Sequence, residues 1–346
     1  MNRMQKGAVG AAIMLFAATT GCAPVNVNGP ESAGRLGNPS SPHSAAPIEE
    51  GYAVTPDGVR LYYRAAGRGP ETVIAPFALF HGTSLDALAV GRRVITYDPR
   101  GRGRSQAVSP DKVSLDLLLT DLDTVRRAVG AERTAIIGWS GGGMETFVYA
   151  LRNPGKVTRL VQLAPVTPRF NPYNAEMMAD RRRRIDGSAW NALQERVKAG
   201  EFVDDPAAHC RAENLVTLPA LFADRTKAAL VPDVCDSANE HPNTLGAYFG
   251  GLFRSIDGFD WSASLPRVTI PRLVIHPLQD NISRTGNEEW VRGQANARIL
   301  FVDGSGHFPQ YERPDETLSA IDTFLKGDWP DEAHSLPLLP GAAPSG

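Results

Sequence analysis

A serine placed between glycines is the first feature of this sequence that could do covalent chemistry. The segment Gly138-Trp139-Ser140-Gly141-Gly142 has the pattern G-x-S-x-G. It follows the apolar run 135–137 and precedes residues 144–152, whose periodicity is helical. The glycines allow a turn that is too tight for side chains and that holds the hydroxyl clear of the backbone. We predict that Ser140 is a nucleophile; a glycine-rich turn with an ordinary surface serine is the alternative.

A serine hydroxyl needs a base at neutral pH, and His307 is the best placed of the seven histidines. It lies in the segment Gly304-Ser305-Gly306-His307-Phe308, between a predicted strand and the last predicted helix. A loop at that point can present an imidazole at the carboxyl edge of a parallel sheet. The less suitable histidines are those in the chain ends (His43, His334), in a predicted insertion (His209, His241) and at a strand end (His276).

The histidine in turn needs an acid that fixes its tautomer and stabilises the imidazolium. Asp280 follows the predicted strand 273–276 in a short loop. Asp303, just before His307, is the rival, but its position at the end of a strand favours a turn residue. We therefore predict that Asp280 orients His307.

The elements around these residues alternate between strand and helix patterns. Strands are predicted at 51–55, 59–65, 72–75, 93–97, 134–137, 157–163, 273–276 and 298–302. Helices are predicted at 114–129, 144–152 and 314–325. The first two strands flank the turn 56–58 and should form a hairpin. The rest implies an α/β fold with a mainly parallel central sheet flanked by helices.

Residues 168–265 break this alternation with proline and arginine clusters and mostly helical patterns. We interpret them as an inserted, mostly helical cap over the carboxyl edge of the sheet, where open α/β sheets bind ligands. The arginine run 181–184 in this segment is either a solvated helix face or a site for an acidic group. Trp139 and Phe308, beside the predicted nucleophile and base, either line an apolar pocket or pack the core.

The composition argues against several other classes of protein. The formal net charge is −2 and the hydrophobic content is 42%, which is typical of a globular protein and gives no argument for nucleic-acid binding. We find no metal-ligand spacing, P-loop or dinucleotide fingerprint, so no metal or cofactor is expected.

The N-terminus has the pattern of an export signal. Arg3 and Lys6 precede an apolar stretch, 8–18, which is too short to span a bilayer. Small residues then lead to Cys22, which resembles the lipidated cysteine of bacterial lipoprotein signals, although Thr19 stands where an aliphatic residue is usual. We predict a signal peptide over 1–22 and a lipid anchor to the membrane at Cys22. Plain secretion is the alternative.

The rest of the chain divides by composition. Residues 23–48 predict a flexible linker, 49–327 the folded domain and 328–346 a loose tail. Export permits a disulfide between Cys210 and Cys235, the two cysteines beyond the signal. Two separate buried thiols are the alternative.

Residues 94–105 resemble the Y-D-x-R-G-x-G-x-S segment of α/β-hydrolases, including the proline-iminopeptidase-like branch. With the serine, aspartate and histidine in the family's order, the resemblance extends over about residues 51–327. It implies a serine hydrolase in which Asp98 and Arg100 shape the sheet edge. The serine at position 140 argues against the aspartate chemistry of dehalogenases and epoxide hydrolases.

The resemblance also implies an oxyanion hole made of two backbone N–H groups. The family's loop after the third strand commonly reads His-Gly, and His81-Gly82 matches it but leaves little room before the next strand. The favoured alignment ends the strand at Ala75-Pro76-Phe77 and starts the helix at His81-Gly82. We predict Phe77 and Gly141 as the donors, with Thr83 as the rival of Phe77.

These features predict hydrolysis of a small-molecule carboxylic ester or amide through an acyl-enzyme. An aminopeptidase of the proline-iminopeptidase type is one alternative; it needs a cap carboxylate, for which Glu176, Glu195 and Glu213 are available. An acyltransferase with the same triad also stays open. The alternative from another class is a non-catalytic, surface-binding lipoprotein that retains the fold.

Overall fold

The computed structural model describes residues 47–338. The predicted signal peptide with Cys22, nearly all of the predicted linker and residues 339–346 lie outside this part of the chain. Within residues 47–338, no helix is long and apolar enough to cross a membrane.

Eight strands form one sheet in the order β1-β2-β4-β3-β5-β6-β7-β8. β1 and β2 form the predicted antiparallel hairpin, β2 also runs antiparallel to β4, and all other neighbours are parallel. The strands are β1 (Ile48–Val54), β2 (Arg60–Ala66), β3 (Glu71–Pro76), β4 (Arg92–Tyr97), β5 (Thr134–Trp139), β6 (Val157–Leu163), β7 (Arg272–Pro277) and β8 (Ala297–Val302).

Helices flank the sheet, which confirms the predicted fold class. They are α1 (Ala78–His81), α2 (Leu115–Ala128), α3 (Gly141–Arg152), α4 (Tyr173–Arg184), α5 (Gly187–Lys198), α6 (Pro206–Thr217), α7 (Pro242–Ile256), α8 (Arg284–Glu288), α9 (Pro309–Glu312) and α10 (Pro314–Lys326). α1 begins directly after Phe77 and ends at His81, so the expected helix start at His81-Gly82 was wrong: the chain turns into the helix earlier than the alignment placed it.

The core explains why the central strands are mostly apolar. Every residue of β5 is buried, and successive side chains point to opposite faces of the sheet. Ile136 packs in the cluster that contains Leu122 of α2, and Ile137 in the cluster that contains Phe324 of α10. Because both faces are covered, the strand needs no polar side.

The segment between β6 and β7 contains α4 to α7 and several short 3-10 turns. Cys210 of α6 is bonded to Cys235, with the two Cα atoms 5.6 Å apart. The disulfide predicted from the even cysteine pair is thus present, and it ties α6 to the loop that leads into α7.

The expectation of a loose tail was wrong for residues 328–338. The Trp329 ring packs 5.1 Å from that of Phe324, and Ala333 is buried. His334 and Ile299 exchange backbone hydrogen bonds of 2.8 and 2.9 Å. An edge strand presents unpaired backbone groups, and here the tail pairs with those of β8.

Candidate active site

Ser140 occupies the turn between β5 and α3 with φ 55° and ψ −125°, a strained backbone conformation for a residue other than glycine. The neighbouring glycines make the turn possible. A Cβ atom at Gly138 would overlap the Thr146 hydroxyl, and one at Gly143 would lie 2.6 Å from Cβ of Pro165. The sequence therefore folds here into the strand–turn–helix arrangement that raises a serine above the sheet.

The structure brings together the three side chains that sequence analysis singled out. The Ser140 Oγ atom lies 2.9 Å from Nε2 of His307. Nδ1 of His307 lies 3.1 and 3.0 Å from the two carboxylate oxygens of Asp280. All three residues are buried. When Nδ1–H donates to Asp280, Nε2 is left to accept the serine hydroxyl proton.

The loop that carries His307 is fixed by hydrogen bonds on both sides of the imidazole. The backbone N–H of His307 donates to the Leu221 carbonyl at 2.7 Å, and the backbone carbonyl of His307 accepts from Nε1 of Trp139 at 2.8 Å. The buried Glu312 carboxylate accepts the N–H of Gly306 at 2.6 Å and that of Asp224 at 2.9 Å. Sequence analysis missed Glu312, because nothing in its local pattern indicates that it faces back to this loop.

The loop of Asp280 is held against the loop of His307. The N–H of Gln279 donates to the Ser305 carbonyl, and the N–H of Ser305 to the Gln279 side chain, both at 3.0 Å. The rival acid Asp303 is exposed, and it accepts from Nε2 of Gln279 at 2.8 Å and not from a histidine. Asp280, and not Asp303, therefore meets His307.

Phe77 lies close to Ser140, at the end of β3. Its backbone has φ 69°, and a Cβ atom at Gly142 would lie 3.2 Å from its ring. Its N–H and that of Gly141, the first residue of α3, have no acceptor among residues 47–338. Thr83, by contrast, is exposed and lines a separate groove that does not include Ser140. The loop after Phe77 is anchored by Asp98, whose carboxylate accepts the Leu79 N–H at 2.8 Å.

Two cavities near the serine share Phe80 and Trp139 in their walls. The smaller one, about 60 Å³, is lined by Phe77, Phe80, Arg102, Trp139, Ser140, Gly141, Met144, Glu145, Val166, Tyr248, Phe249, Leu252, Phe253, Ile256 and Phe259. The larger one, about 350 Å³, lies between the sheet edge and α4 to α7 and is also lined by Phe308. Trp139 and Phe308 are thus cavity walls as well as buried residues.

A buried ion pair joins the sheet edge to the segment before α7. The Arg102 guanidinium donates to both Glu240 carboxylate oxygens, at 2.9 and 2.8 Å. It also lies over the rings of Phe77 and Tyr248, 5.6 and 5.1 Å from their centroids. The two partners are 138 positions apart in the chain, so only the folded structure reveals the pair.

Burial shifts the pKa of several carboxyl groups near the cavities. Desolvation raises the pKa of Glu145 to about 7, while the Arg102 charge opposes the shift. Burial likewise raises the pKa of Glu213 to about 7, and Arg181 opposes that shift. Burial raises the pKa of Asp98 to about 6, although its hydrogen bonds from the N–H groups of Arg104 and Leu79 act to lower it.

The four consecutive arginines of α4, residues 181–184, have different surroundings and make different contacts. Arg181 and Arg182 line the larger cavity, and the exposed Arg183 pairs with Asp180 at 3.0 Å. Arg184 donates to the carbonyls of Gln279 and Asp280, on the loop of the predicted acid. Across the described part of the chain, no group of three or more His, Cys, Asp or Glu residues could hold a metal ion.

Comparison with known proteins identifies the family. Residues 75–314 match the model of the alpha/beta hydrolase fold. The chain belongs to the α/β-hydrolase family. This α/β-hydrolase is 35% identical over 283 residues to a 2-hydroxy-6-oxononadienedioate/2-hydroxy-6-oxononatrienedioate hydrolase of Paraburkholderia xenovorans, covering 77% of this chain and 91% of that one.

Other similar proteins carry different names within the same fold. Epoxide hydrolase 3 of Xenopus tropicalis is 25% identical to this α/β-hydrolase over 327 residues, covering 87% of this chain and 85% of that one. The crystal structure of a serine hydrolase from Cycloclasticus zankles matches its fold with a TM-score of 0.63 and 20% identity, covering 81% of this chain and 99% of that one. The predicted family and fold are confirmed, while the reaction has to be argued from the residues of this α/β-hydrolase.

Proposed function

We propose that this α/β-hydrolase is a serine hydrolase that cleaves a carboxylic ester or a small amide through an acyl-enzyme. The observation that carries the proposal is the unbroken hydrogen-bond path from Ser140 through His307 to Asp280, with distances of 2.9 and 3.0 Å. Ser140 itself lines the smaller cavity, and the chain neighbours Trp139 and Phe308 line the larger one, so that the two halves of a substrate can lie on either side of the serine.

In this mechanism Ser140 Oγ attacks the substrate carbonyl carbon, and its proton passes to Nε2 of His307. Asp280 holds the imidazole in the required tautomer and stabilises the imidazolium. The N–H groups of Phe77 and Gly141 donate to the oxyanion of the tetrahedral intermediate. The intermediate collapses as His307 gives the proton to the leaving group, and a water molecule then repeats the sequence to release the acid.

The alternatives differ in what they require of the cavities. An aminopeptidase needs a carboxylate beside the substrate's amino group; of the cap glutamates considered, Glu213 lines the larger cavity, while Glu176 and Glu195 are exposed. An acyltransferase would use the same triad with an alcohol in place of water. A non-catalytic binding protein needs none of the triad hydrogen bonds, so their presence favours an enzyme.

Labelling with a fluorophosphonate tests the proposal directly, because the probe reacts only with an activated serine. The purified protein should be labelled, Ser140→Ala should not, and the control Ser319→Ala, which removes an exposed hydroxyl on α10, should be labelled like the wild type. Nitrophenyl esters and aminoacyl nitroanilides then distinguish esterase from aminopeptidase. Absence of labelling in the folded wild-type protein would refute the serine-hydrolase mechanism.

We also propose that the protein is exported and anchored to the membrane through a lipidated Cys22. The Cys210–Cys235 disulfide supports export, because such bonds persist in oxidising compartments. Cell fractionation of the full-length chain tests the anchor. The wild type should remain with the membranes and Cys22→Ser should not; equal release of both would favour plain secretion.

A further inference from the structure

Ser140 lines the smaller of the two cavities and its neighbour Trp139 lines both, and the two volumes differ about sixfold, roughly 60 against 350 Å³. An ester presents two halves to a serine hydrolase, the acyl group and the alcohol. Which half enters which cavity follows from the path of the proton in the mechanism proposed above.

The alcohol half must receive its proton from Nε2 of His307, so it leaves on the side of that residue. Phe308, the next residue in the chain, lines the larger cavity. The smaller cavity is lined by Ser140, Gly141 and Phe77, and among the described residues its walls include none from the His307 loop. The acyl half therefore points into the smaller cavity and the alcohol half into the larger one.

The size of the smaller cavity limits the acyl group. An apolar protein cavity of about 150 Å³ holds one benzene molecule of six carbons. By that scale a cavity of about 60 Å³ holds about two or three carbon atoms. The larger cavity, about 350 Å³, has room for roughly fourteen.

The wall of the smaller cavity is held in place by close packing behind it. It is formed largely by α7, which contributes Tyr248, Phe249, Leu252 and Phe253. At Gly251 this helix packs so closely on the 110–113 segment that a Cβ atom there would overlap the Pro110 carbonyl. Because close-packed interiors resist small volume changes, a longer acyl chain would meet a fixed wall.

The chemistry of the smaller cavity favours an uncharged acyl group. Most of its walls are apolar, and its charged residues are Arg102 and Glu145. The charge of Arg102 is neutralised by Glu240, with hydrogen bonds of 2.9 and 2.8 Å. Burial raises the pKa of Glu145 to about 7, so this carboxyl group is largely protonated below neutral pH.

The larger cavity is mixed in character. Apolar side chains such as Met178 and Leu218 line it together with Arg181 and Glu213. We infer that the substrate is an ester of a short, uncharged acyl group, acetyl or propanoyl in size, with a much larger alcohol that carries polar groups. This inference rests on the proposed serine-hydrolase function and names the substrate class of the same site.

The experiment compares nitrophenyl esters of increasing acyl length with the purified mature enzyme. Acetate and propanoate should have the highest kcat/KM, and the hexanoate value should be at least about tenfold lower. Phe253→Ala enlarges the smaller cavity and should move the optimum to four to six carbons. Phe249→Ala is the second variant if Phe253→Ala does not fold.

Leu245→Ala is the matched control, since Leu245 lies on the same helix but lines the larger cavity. It should leave the acyl ranking unchanged and alter the ratio of 1-naphthyl acetate to nitrophenyl acetate hydrolysis. If the wild type hydrolyses octanoate as fast as acetate, or if the folded Phe253→Ala and Phe249→Ala variants keep the wild-type ranking, the acyl limit is wrong although the serine-hydrolase function stands. If the folded enzyme neither hydrolyses any ester nor reacts with a fluorophosphonate, the proposed function and this inference both fail.

Discussion

At the scale of single residues, Asp280 provides the sharpest test of the proposed mechanism. In Asp280→Asn the side-chain amide can donate to Nδ1 of His307, so that Nε2 carries the proton and no longer accepts from Ser140. We expect kcat for ester hydrolysis to fall about 10⁴-fold, while the fold is retained. Steady-state kinetics together with circular dichroism would measure both.

Asp303→Asn is the matched control for that substitution. Its carboxylate is exposed and accepts from Gln279, not from His307, so the triad is untouched and kcat should keep the wild-type value. A loss of activity in Asp303→Asn equal to that in Asp280→Asn would show that the acid has been assigned to the wrong residue.

At the scale of elements, Glu312 positions the loop that carries His307. Its carboxylate accepts the N–H groups of Gly306 and Asp224, and an amide at this position can accept only one of them well. Glu312→Gln should therefore displace the imidazole slightly and lower kcat about ten- to a hundredfold, because small misplacements are costly in catalysis. KM should change little, since Glu312 lines neither cavity.

The control for Glu312→Gln is Glu316→Gln, which alters an exposed carboxylate on α10 that pairs with Arg313. It should keep the wild-type kcat. If Glu312→Gln lowers the melting temperature but leaves kcat unchanged, Glu312 stabilises the fold without positioning His307.

The elements that the sequence predicts well are those in which the local pattern and the final environment agree. β6 was predicted at its observed bounds, because its apolar run is buried in a parallel sheet. Ser140 and His307 could be singled out as candidates because tight turns after strands have a glycine signature, and the structure brings the two side chains together. The bounds of α1, the order of the tail against β8 and the Arg102–Glu240 pair depend on contacts between distant segments. No local pattern encodes those contacts, and the walls of the two cavities depend on them in the same way.

At the scale of the whole molecule, the buried Glu145 makes stability depend on pH. Its pKa rises from 4.5 to about 7 on folding, mainly through desolvation, with Asp121 adding to the shift and Arg102 opposing it. The folded state thus binds the proton of Glu145 more tightly than the unfolded state does. The stabilisation that this protonation provides is complete below pH 4.5 and is lost as the pH rises through about 7. The full effect is about 3 kcal/mol.

Glu145→Gln copies the shape of the protonated acid and cannot ionise. The variant should be more stable than the wild type by about 3 kcal/mol at pH 8 and similar to it at pH 4.5. Urea unfolding at both pH values measures the difference, and Glu132→Gln, at an exposed position, is the control. An equal stability gap at both pH values would mean that Glu145 keeps the same charge in the folded and unfolded states.

The disulfide is the other whole-molecule feature with a measurable consequence. It closes a loop with a sequence separation of 25, which in the chain-entropy model stabilises the folded state by about 3 kcal/mol. The Cys210→Ser/Cys235→Ser double variant should therefore lose about that much unfolding free energy in urea titrations.

The wild type in reductant should match the double variant, whereas the double variant itself should not respond to reductant. Because Cys235 lies just before Glu240, the same change should also loosen the Arg102–Glu240 pair and widen the range of accepted acyl groups. If the double variant keeps both the wild-type unfolding free energy and the wild-type acyl ranking, the cap is held by its packing alone. The range of accepted acyl groups would then not depend on the disulfide.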